Sequence, residues 1–420
     1  MQQTIKLMAG ILAVCLTTGA VAGDLVEAPG AEAGMSDERL ARITGMSQRY
    51  VDEGKLAGVV TLVARDGKIV HFEAVGQRGA EDDRPMTKDA LFRIFSMSKP
   101  ITAVAAMMLY EEGAFALSDP VAKFVPELTE LDVLVDGERV PAETTMTMRH
   151  LLTHTTGLSY GFNPRGNPVD ALYNEVQPLG GRNLDEFAER LGQLPLVFEP
   201  GERWHYSVAV DVTGLVVERL SGMSFDAFLK DRLFEPLGMA DTFFNVPEDK
   251  LDRLLPNHRW NRQEEHLVQI NRPYQPTEMF SGGGGLVSST MDYLRFAEMV
   301  RRGGELDGVR ILSPKTVAFM TANHLPATLT GGGTGENPGA RAAAQSFGFG
   351  LGFGINMDPV ASGVLGSQGE YNWGGAAGTV FWVDPVEDMV VVGMIQLMGS
   401  PWPLRRELRV LANQALTELR

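Results

Sequence analysis

The sequence predicts an α+β fold, an α/β sandwich with a helical insert, whose antiparallel sheet is built from both chain ends with flanking helices. Residues 58–65 and 68–75 are apolar, β-branched runs joined by an Asp-Gly dipeptide, which is a strong hairpin signal. Similar strand patterns return towards the other end, at 379–383 and 389–396. The chain between about 118 and 280 shows helical spacing and long loops, so the two groups of strands must meet across an insertion.

This pattern divides the chain into two parts. We assign residues 35–95 and 281–420 to an α/β domain that contains the antiparallel sheet, and residues 96–280 to a mainly helical domain. Binding sites for small molecules favour the interface between two such parts, so we expect the active site there.

The remaining elements follow from periodicity and from capping residues. Helical spacing of apolar residues predicts helices at 37–51, 96–112, 184–191, 208–220, 225–233 and 405–419, and Ser289 and Ser313 have the character of N-caps of two more. Between 347 and 354, glycines alternate with bulky residues, which predicts one strand with a bare face that admits close packing.

Composition excludes several classes of function. With 420 residues and 44% hydrophobic content, the chain has enough apolar material for a large core. Lys and Arg total 37 against 53 Asp and Glu, and the resulting net charge of −16 argues against nucleic acid or an anionic membrane surface as a partner.

The first 22 residues predict an export signal. Lys6 supplies the charged start, an apolar run covers 7–16, and Ala20-Val21-Ala22 is a small-x-small cleavage site. The segment is too short to remain as a membrane span, so we expect an exported protein, periplasmic or secreted. Cys15, the only cysteine, lies inside the signal, and the bulky valine before it does not fit a lipoprotein signal.

Ser96 and Lys99 form a Ser-x-x-Lys pair at a predicted helix start. Pro100 lacks a backbone N–H and is tolerated only near a first helical turn, so one turn brings Lys99 beneath Ser96. A lysine in apolar surroundings loses its proton more easily and can activate a hydroxyl as a general base. Taken alone, the spacing is weak evidence, because it more often marks a serine N-cap followed by a solvated lysine.

Further motifs favour the interpretation of Ser96 and Lys99 as a catalytic pair. Tyr206-Ser207-Val208 precedes a helix, and Trp373-Gly374-Gly375-Ala376 precedes a late strand. Together with the segments at 150–158, 234–239 and 281–286, this order resembles the family VIII carboxylesterases, which share their fold with class C β-lactamases and DD-peptidases. The resemblance extends over nearly the whole chain after the signal and implies a β-lactamase/DD-peptidase-like fold.

The resemblance also implies residue roles. Ser96 would be the acylated nucleophile, Lys99 its base and Tyr206 a phenol that relays a proton to the leaving group. The N–H groups of Ser96 and Ala376 would form the oxyanion hole.

The predicted substrate pocket departs from the β-lactamase pattern. Its residues would be Tyr160, Asp211, Trp373, Gly374 and Gly375, although packing equally explains Tyr160 and an ordinary first-turn acid explains Asp211. The Lys-Thr-Gly of β-lactamases is Trp-Gly-Gly here, and their Tyr-x-Asn ends in a valine. Both changes remove polar groups that bind β-lactams or peptides, and so favour a neutral, partly apolar ester.

Three other signals carry less weight. Gly157 to Gly161 matches Gly-x-Ser-x-Gly, but it lies in the helical insert without a preceding strand. His150 and His154 have zinc spacing on a predicted helix, but no third ligand is suggested, so we predict no metal. The glycine run at 282–285 lacks the context of a phosphate loop and predicts a flexible turn near the site.

The sequence therefore predicts a serine esterase that acts on small-molecule esters without metal or organic cofactor. The enzymatic alternatives are a β-lactamase or DD-peptidase, and an acyltransferase in which an alcohol replaces water. A third alternative is an inactive acyl- or peptide-binding homologue, which the intact Ser96, Lys99 and Tyr206 disfavour. Oligomeric state is left open.

Overall fold

A nine-stranded sheet forms the centre of the computed structural model, which describes residues 25–271, 273–326, 329 and 346–420. The predicted export signal and Cys15 lie outside the described residues. Within them, no helix combines the length and the apolar character needed to cross a membrane.

The described residues form eighteen strands and eleven α-helices. The strands are β1 (Val26–Glu27), β2 (Gly58–Arg65), β3 (Lys68–Gly79), β4 (Asp82–Pro85), β5 (Phe92–Arg93), β6 (Asp132–Val135), β7 (Glu138–Pro141), β8 (Asn257–Asn261), β9 (His266–Ile270), β10 (Val287–Ser288), β11 (Glu305–Leu306), β12 (Val309–Arg310), β13 (Phe347–Phe349), β14 (Gly354–Asn356), β15 (Tyr371–Gly374), β16 (Val380–Asp384), β17 (Met389–Met394) and β18 (Leu397–Met398). The helices are α1 (Asp37–Asp52), α2 (Ser98–Glu111), α3 (Met148–Leu152), α4 (Pro168–Val176), α5 (Leu184–Leu191), α6 (Ala209–Ser221), α7 (Phe225–Leu229), α8 (Thr290–Arg301), α9 (Pro314–Met320), α10 (Pro359–Ser362) and α11 (Leu404–Asn413).

Strands from both chain ends meet in the centre of the sheet. Their order is β1-β3-β2-β17-β16-β15-β14-β13, with β4 paired to β3. All of these pairs are antiparallel except β1 with β3. The joining pair is β2 with β17, in which Arg65 lies opposite Met389. The predicted antiparallel sheet built from both ends is therefore observed.

Each face of the sheet covers its own core. One face, with Leu62 and Phe381, packs against the helical part of the chain, including α2 and α6. The other face, with Val63 and Trp382, packs against α1 and α11. Alternation along each strand produces this division, because successive side chains point to opposite faces.

Two predictions about local structure were wrong. The glycine-rich segment is not one strand but a hairpin of β13 and β14, because Gly352 has a left-handed φ of 89° and turns the chain back. The last helix ends at Asn413 rather than at 419. Residues 96–280 also contain the β6-β7 and β8-β9 hairpins, and β8 pairs with β18 near the chain end.

Arg65 connects segments near the beginning and the end of the described residues through hydrogen bonds. Its side chain is fully buried and its Nη2 lies 2.8 Å from Oε2 of Glu387. It also donates to the backbone oxygens of Ala33, Gly34, Glu387 and Glu418 at 2.9–3.0 Å. One guanidinium thus satisfies acceptors near both ends of the described residues.

We expect Arg65→Met to destabilise the fold by about 3–5 kcal/mol, because it leaves the Glu387 carboxylate buried without its counter-ion. Urea unfolding followed by circular dichroism measures this loss. Arg84→Met is the matched control, since Arg84 pairs with Asp82 at the exposed surface and its loss should barely move the midpoint. Equal effects of the two substitutions would contradict the role of Arg65.

Candidate active site

Ser96 lies in a tight turn that leads into α2. Residues Phe95–Met97 form a 3₁₀ turn, and Phe95 has a left-handed φ of 46°, a strained conformation for an aromatic residue. The α-helix proper begins at Ser98, so Ser96 precedes it by half a turn. The turn presents a half-buried serine at the interface of the two parts of the chain.

Lys99 is buried directly beneath Ser96, as the spacing predicted. Only 1% of its surface is exposed, and its Nζ lies 3.2 Å from Ser96 Oγ. Nζ also donates to the carbonyl oxygen of Gly283 at 2.6 Å and lies 4.5 Å from the ring centre of Tyr206. A serine hydroxyl, an amine and a tyrosine ring are therefore neighbours in this site.

Tyr206 approaches from the loop before α6. Its ring lies 4.9 Å from His154, 5.3 Å from Tyr160 and 5.5 Å from Trp373, measured between ring centres. Its hydroxyl is buried and has no hydrogen-bond partner among the described residues. A buried hydroxyl without a partner is costly, so the Tyr206 hydroxyl is available to form a hydrogen bond with a molecule that enters the site.

Asp211, on the first turn of α6, organises the glycine run behind Lys99. It accepts hydrogen bonds from Ser281 Oγ, from Gly283 N at 3.0 Å and from Tyr160 OH at 3.2 Å. Burial raises the pKa of its carboxyl, and the charge of Lys99 acts in the opposite direction. A Cβ at Gly283 would lie 2.3 Å from Oδ2 of Asp211, so only glycine fits there.

Tyr160 joins this network through its hydroxyl, while its ring lies 5.1 Å from Lys99 Nζ and is stacked on the exposed Phe162. Burial raises the pKa of the Tyr160 phenol, as does the neighbouring carboxylate of Asp211. Sequence analysis named Tyr160 and Asp211, but it did not find Ser281 and Gly283 as their partners. The glycine run at 282–285 was the sequence signal that could have identified these two partners.

The turn after β15, which contains Ala376, lies against the segment that leads to Ser96. A Cβ at Gly375 would lie 2.3 Å from the carbonyl oxygen of Ile94, two residues before the serine. Ala376 is exposed, and its N–H has no acceptor among the described residues. Gly374 faces the opposite side of the strand, against Arg405.

Aromatic side chains form one wall of the site. Trp204 lies 5.0 Å from Phe347 and 5.8 Å from Phe349, and Phe349 lies 5.3 Å from Trp373, between ring centres. Phe349 is only 1% exposed, so it also belongs to the core. The hairpin of β13 and β14 places both phenylalanine rings against Trp204.

Ser159 of the Gly-x-Ser-x-Gly segment is not placed as a nucleophile. It is 1% exposed, and although its Oγ lies 3.2 Å from Nε2 of His205, it donates to Asp170. In a catalytic triad the carboxylate orients the histidine, whereas here it binds the serine itself.

The two histidines with zinc spacing do not share a helix. His150 lies in α3, but His154 follows the helix with a left-handed φ of 54°. The described residues contain no group of three metal-binding side chains in suitable positions. His154 instead packs against Tyr206, and burial, with a smaller effect of the Lys99 charge, holds the pKa of its imidazole well below 6.5.

Known proteins resemble this chain over most of its length. A sequence model of the family described as Beta-lactamase matches residues 43–416. Protein Rv1367c of Mycobacterium tuberculosis is 37% identical over 359 residues, and Esterase EstB of Burkholderia gladioli is 33% identical over 365 residues. Each alignment covers 82% of this chain and 87% of the relative.

A solved structure has the same architecture. It is EstCE1, described as a hydrolase with promiscuous acyltransferase activity, with a TM-score of 0.75 and 28% identity. The match covers 91% of this chain and 99% of EstCE1. The resemblance to family VIII esterases and the β-lactamase/DD-peptidase-like fold are thereby confirmed, while the roles of individual residues stay predictions.

We expect stability to fall as the pH drops below 6.5, partly because of His154. The unfolded chain then binds a proton at residue 154 that the folded chain does not, which costs about 1.4 kcal/mol per pH unit. His154→Asn, which tolerates the left-handed backbone, should remove that part of the slope in urea titrations between pH 4.5 and 6.5. His266→Asn, at an exposed position, should leave the slope intact; an unchanged slope in His154→Asn would contradict the assignment.

Proposed function

The chain belongs to the Beta-lactamase family, a family of serine hydrolases, and on that premise we propose that it is a carboxylesterase for short- to medium-chain acyl esters of small molecules. The observation that carries the proposal is the convergence of Ser96, Lys99 and Tyr206. Lys99 Nζ lies 3.2 Å from the serine oxygen and 4.5 Å from the phenol ring. We also propose that residues 1–22 direct export to the periplasm or the medium.

The proposed reaction runs through an acyl-enzyme. Ser96 Oγ attacks the ester carbonyl while Lys99, as the neutral amine, accepts its proton. The negative charge on the former carbonyl oxygen is stabilised by the N–H groups of Ser96 and Ala376. Tyr206 then donates a proton to the departing alcohol oxygen and is reprotonated from Lys99.

Deacylation reverses the proton path. Water replaces the alcohol and gives a proton to the neutral Lys99 amine as its oxygen attacks the acyl carbon, either directly or through Tyr206, which passes its own proton to Lys99. Ser96 then regains its proton from Lys99 when the acid leaves. Gly283 O and the ring of Tyr206 keep the Lys99 amine in place through both steps. With the ester and water as reactants, the proton transfers of both steps balance among Ser96, Lys99 and Tyr206.

The lining of the site supports neutral esters over β-lactams or peptides. Trp373 stands where β-lactamases have the lysine that binds a substrate carboxylate, and its ring contributes to the aromatic wall. Val208, at the position of their asparagine, is 1% exposed and packs in the core, so it offers no amide to a substrate.

Acyl transfer to an alcohol is the second candidate function. It is favoured by the similarity to EstCE1, whose description includes acyltransferase activity, and by the aromatic wall beside Ser96. An apolar wall lowers the water activity near the acyl-enzyme and binds alcohols of moderate size, which competes with hydrolysis.

We expect Ser96→Ala to reduce hydrolysis of p-nitrophenyl butyrate by about 10⁴-fold, and Lys99→Met and Tyr206→Phe by about 10²- to 10⁴-fold. Release of p-nitrophenol by residues 23–420 measures these losses. Ser159→Ala is the matched control and should keep activity within tenfold. Nitrocefin should react at least 100-fold more slowly than the ester; Ser96-dependent nitrocefin turnover at an ester-like rate would instead support a β-lactamase.

Both candidate functions share one acyl-enzyme, which a partition experiment can follow. With p-nitrophenyl butyrate and increasing 1-butanol, we expect butyl butyrate to form at the expense of butyric acid, with both products absent in Ser96→Ala. Gas chromatography gives the product ratio. If the ratio stays at zero up to 1-butanol saturation, the acyltransferase candidate is wrong and the esterase proposal is unaffected.

A further inference from the structure

We propose that Arg405 is a positioning residue for the oxyanion hole, because it orients and polarises the peptide group between Gly375 and Ala376. The proposal rests on the proposed function, in which the Ala376 N–H stabilises the developing oxyanion. Arg405 lies in the first turn of α11, on the face of the sheet opposite Ser96.

The contacts of Arg405 define its place behind β15. Its Nη2 donates to the carbonyl oxygens of Gly375 at 2.5 Å and of Thr379 at 2.9 Å. A Cβ at Gly374 would lie 2.8 Å from the guanidinium carbon, so this glycine lets the cation approach the strand. The neighbouring Trp373 points the other way, towards Tyr206, as alternation along a strand requires.

Peptide geometry connects this contact to the reacting centre. In a trans peptide unit the C=O and the following N–H point in opposite directions. Because the Gly375 carbonyl points at Arg405, the Ala376 N–H of the same unit points away from α11. That side of the turn holds the Ile94 carbonyl, two residues before Ser96, in close approach to Gly375.

The turn at residues 375–379 is held by hydrogen bonds that do not involve the Ala376 N–H. Gly375 N donates to Thr379 O at 2.8 Å, and Gly378 N donates to Gly375 O at 3.0 Å. The carbonyls of Ala376 and Ala377 accept from the N–H groups of Gly399 and Leu397. The Ala376 N–H is therefore held in place while remaining available to a ligand.

The charge of Arg405 adds polarisation to this geometry. Arg405 forms no ion pair with any of the described residues, so no carboxylate neutralises it. A cation on the carbonyl oxygen draws electron density through the amide and makes the N–H a stronger donor. A fixed dipole of this kind stabilises an oxyanion without reorganising during the reaction.

The test compares Arg405→Met, Arg405→Lys and, as control, the neighbouring Arg406→Met, which has no hydrogen bond to this turn. For p-nitrophenyl butyrate we expect Arg405→Met to lower kcat 10- to 100-fold with KM within threefold. The Ki of a trifluoromethyl ketone, which forms an oxyanion on Ser96, should rise by a similar factor. Arg405→Lys should recover part of both losses, and Arg406→Met should stay within twofold of the wild type.

Two results would overturn the proposal: an unchanged kcat in folded Arg405→Met, or a loss of kcat that leaves the Ki of the ketone unchanged. A second readout does not depend on turnover. In ¹⁵N-alanine-labelled protein, the Ala376 amide resonance, assigned by Ala376→Gly, should move in Arg405→Met and not in Arg406→Met. If the wild type shows no Ser96-dependent ester cleavage, the proposed function is wrong. If the Ala376 amide resonance does not move in Arg405→Met, the contact of Arg405 with this peptide group is refuted.

Discussion

The burial of Lys99 is the constraint on which the site depends. An amine this far from water is costly unless its N–H groups find partners. Here the compensation comes from Ser96 Oγ, from the Gly283 carbonyl and from two tyrosine rings. Asp211 supplies the nearest negative charge and holds the backbone of Gly283 in position. The same contacts that stabilise the amine also aim it at the serine.

The α/β domain provides the opposite, rigid side of the cleft through β15. Two arginines one turn apart on α11 hold this strand from behind. Arg405 bonds to the turn after it, and Arg409 pairs with Glu370 just before its first residue while stacking on Trp382. A strand fastened at both ends holds the turn with Ala376 in place, which the proposed oxyanion hole requires.

Sequence reasoning succeeded where chemistry is local and failed where it depends on distant partners. The Ser96–Lys99 contact follows from one helical turn, and the sheet follows from strand patterns at the two ends. The hairpin of β13 and β14 could not be predicted, because a single left-handed glycine decides between one strand and a hairpin. Two partners of Asp211, Ser281 and Gly283, lie about seventy residues further along the chain, and no local pattern indicates that distance.

The position of the positive charges explains how such a site can favour neutral esters. A lysine at position 373 would face the substrate and attract a carboxylate, as the β-lactamase pattern implies. In this chain the indole of Trp373 lies against Tyr206, and the cation of Arg405 lies behind the strand on the carbonyl of Gly375. In the proposed function this arrangement would retain a field that stabilises an oxyanion, without direct attraction of an anionic substrate. In this proposal, Arg405 acts on the reacting oxygen only through the dipole of the Gly375–Ala376 peptide group. Its effect is larger in the transition state than in the bound ester, because the oxygen becomes negative only as Ser96 attacks.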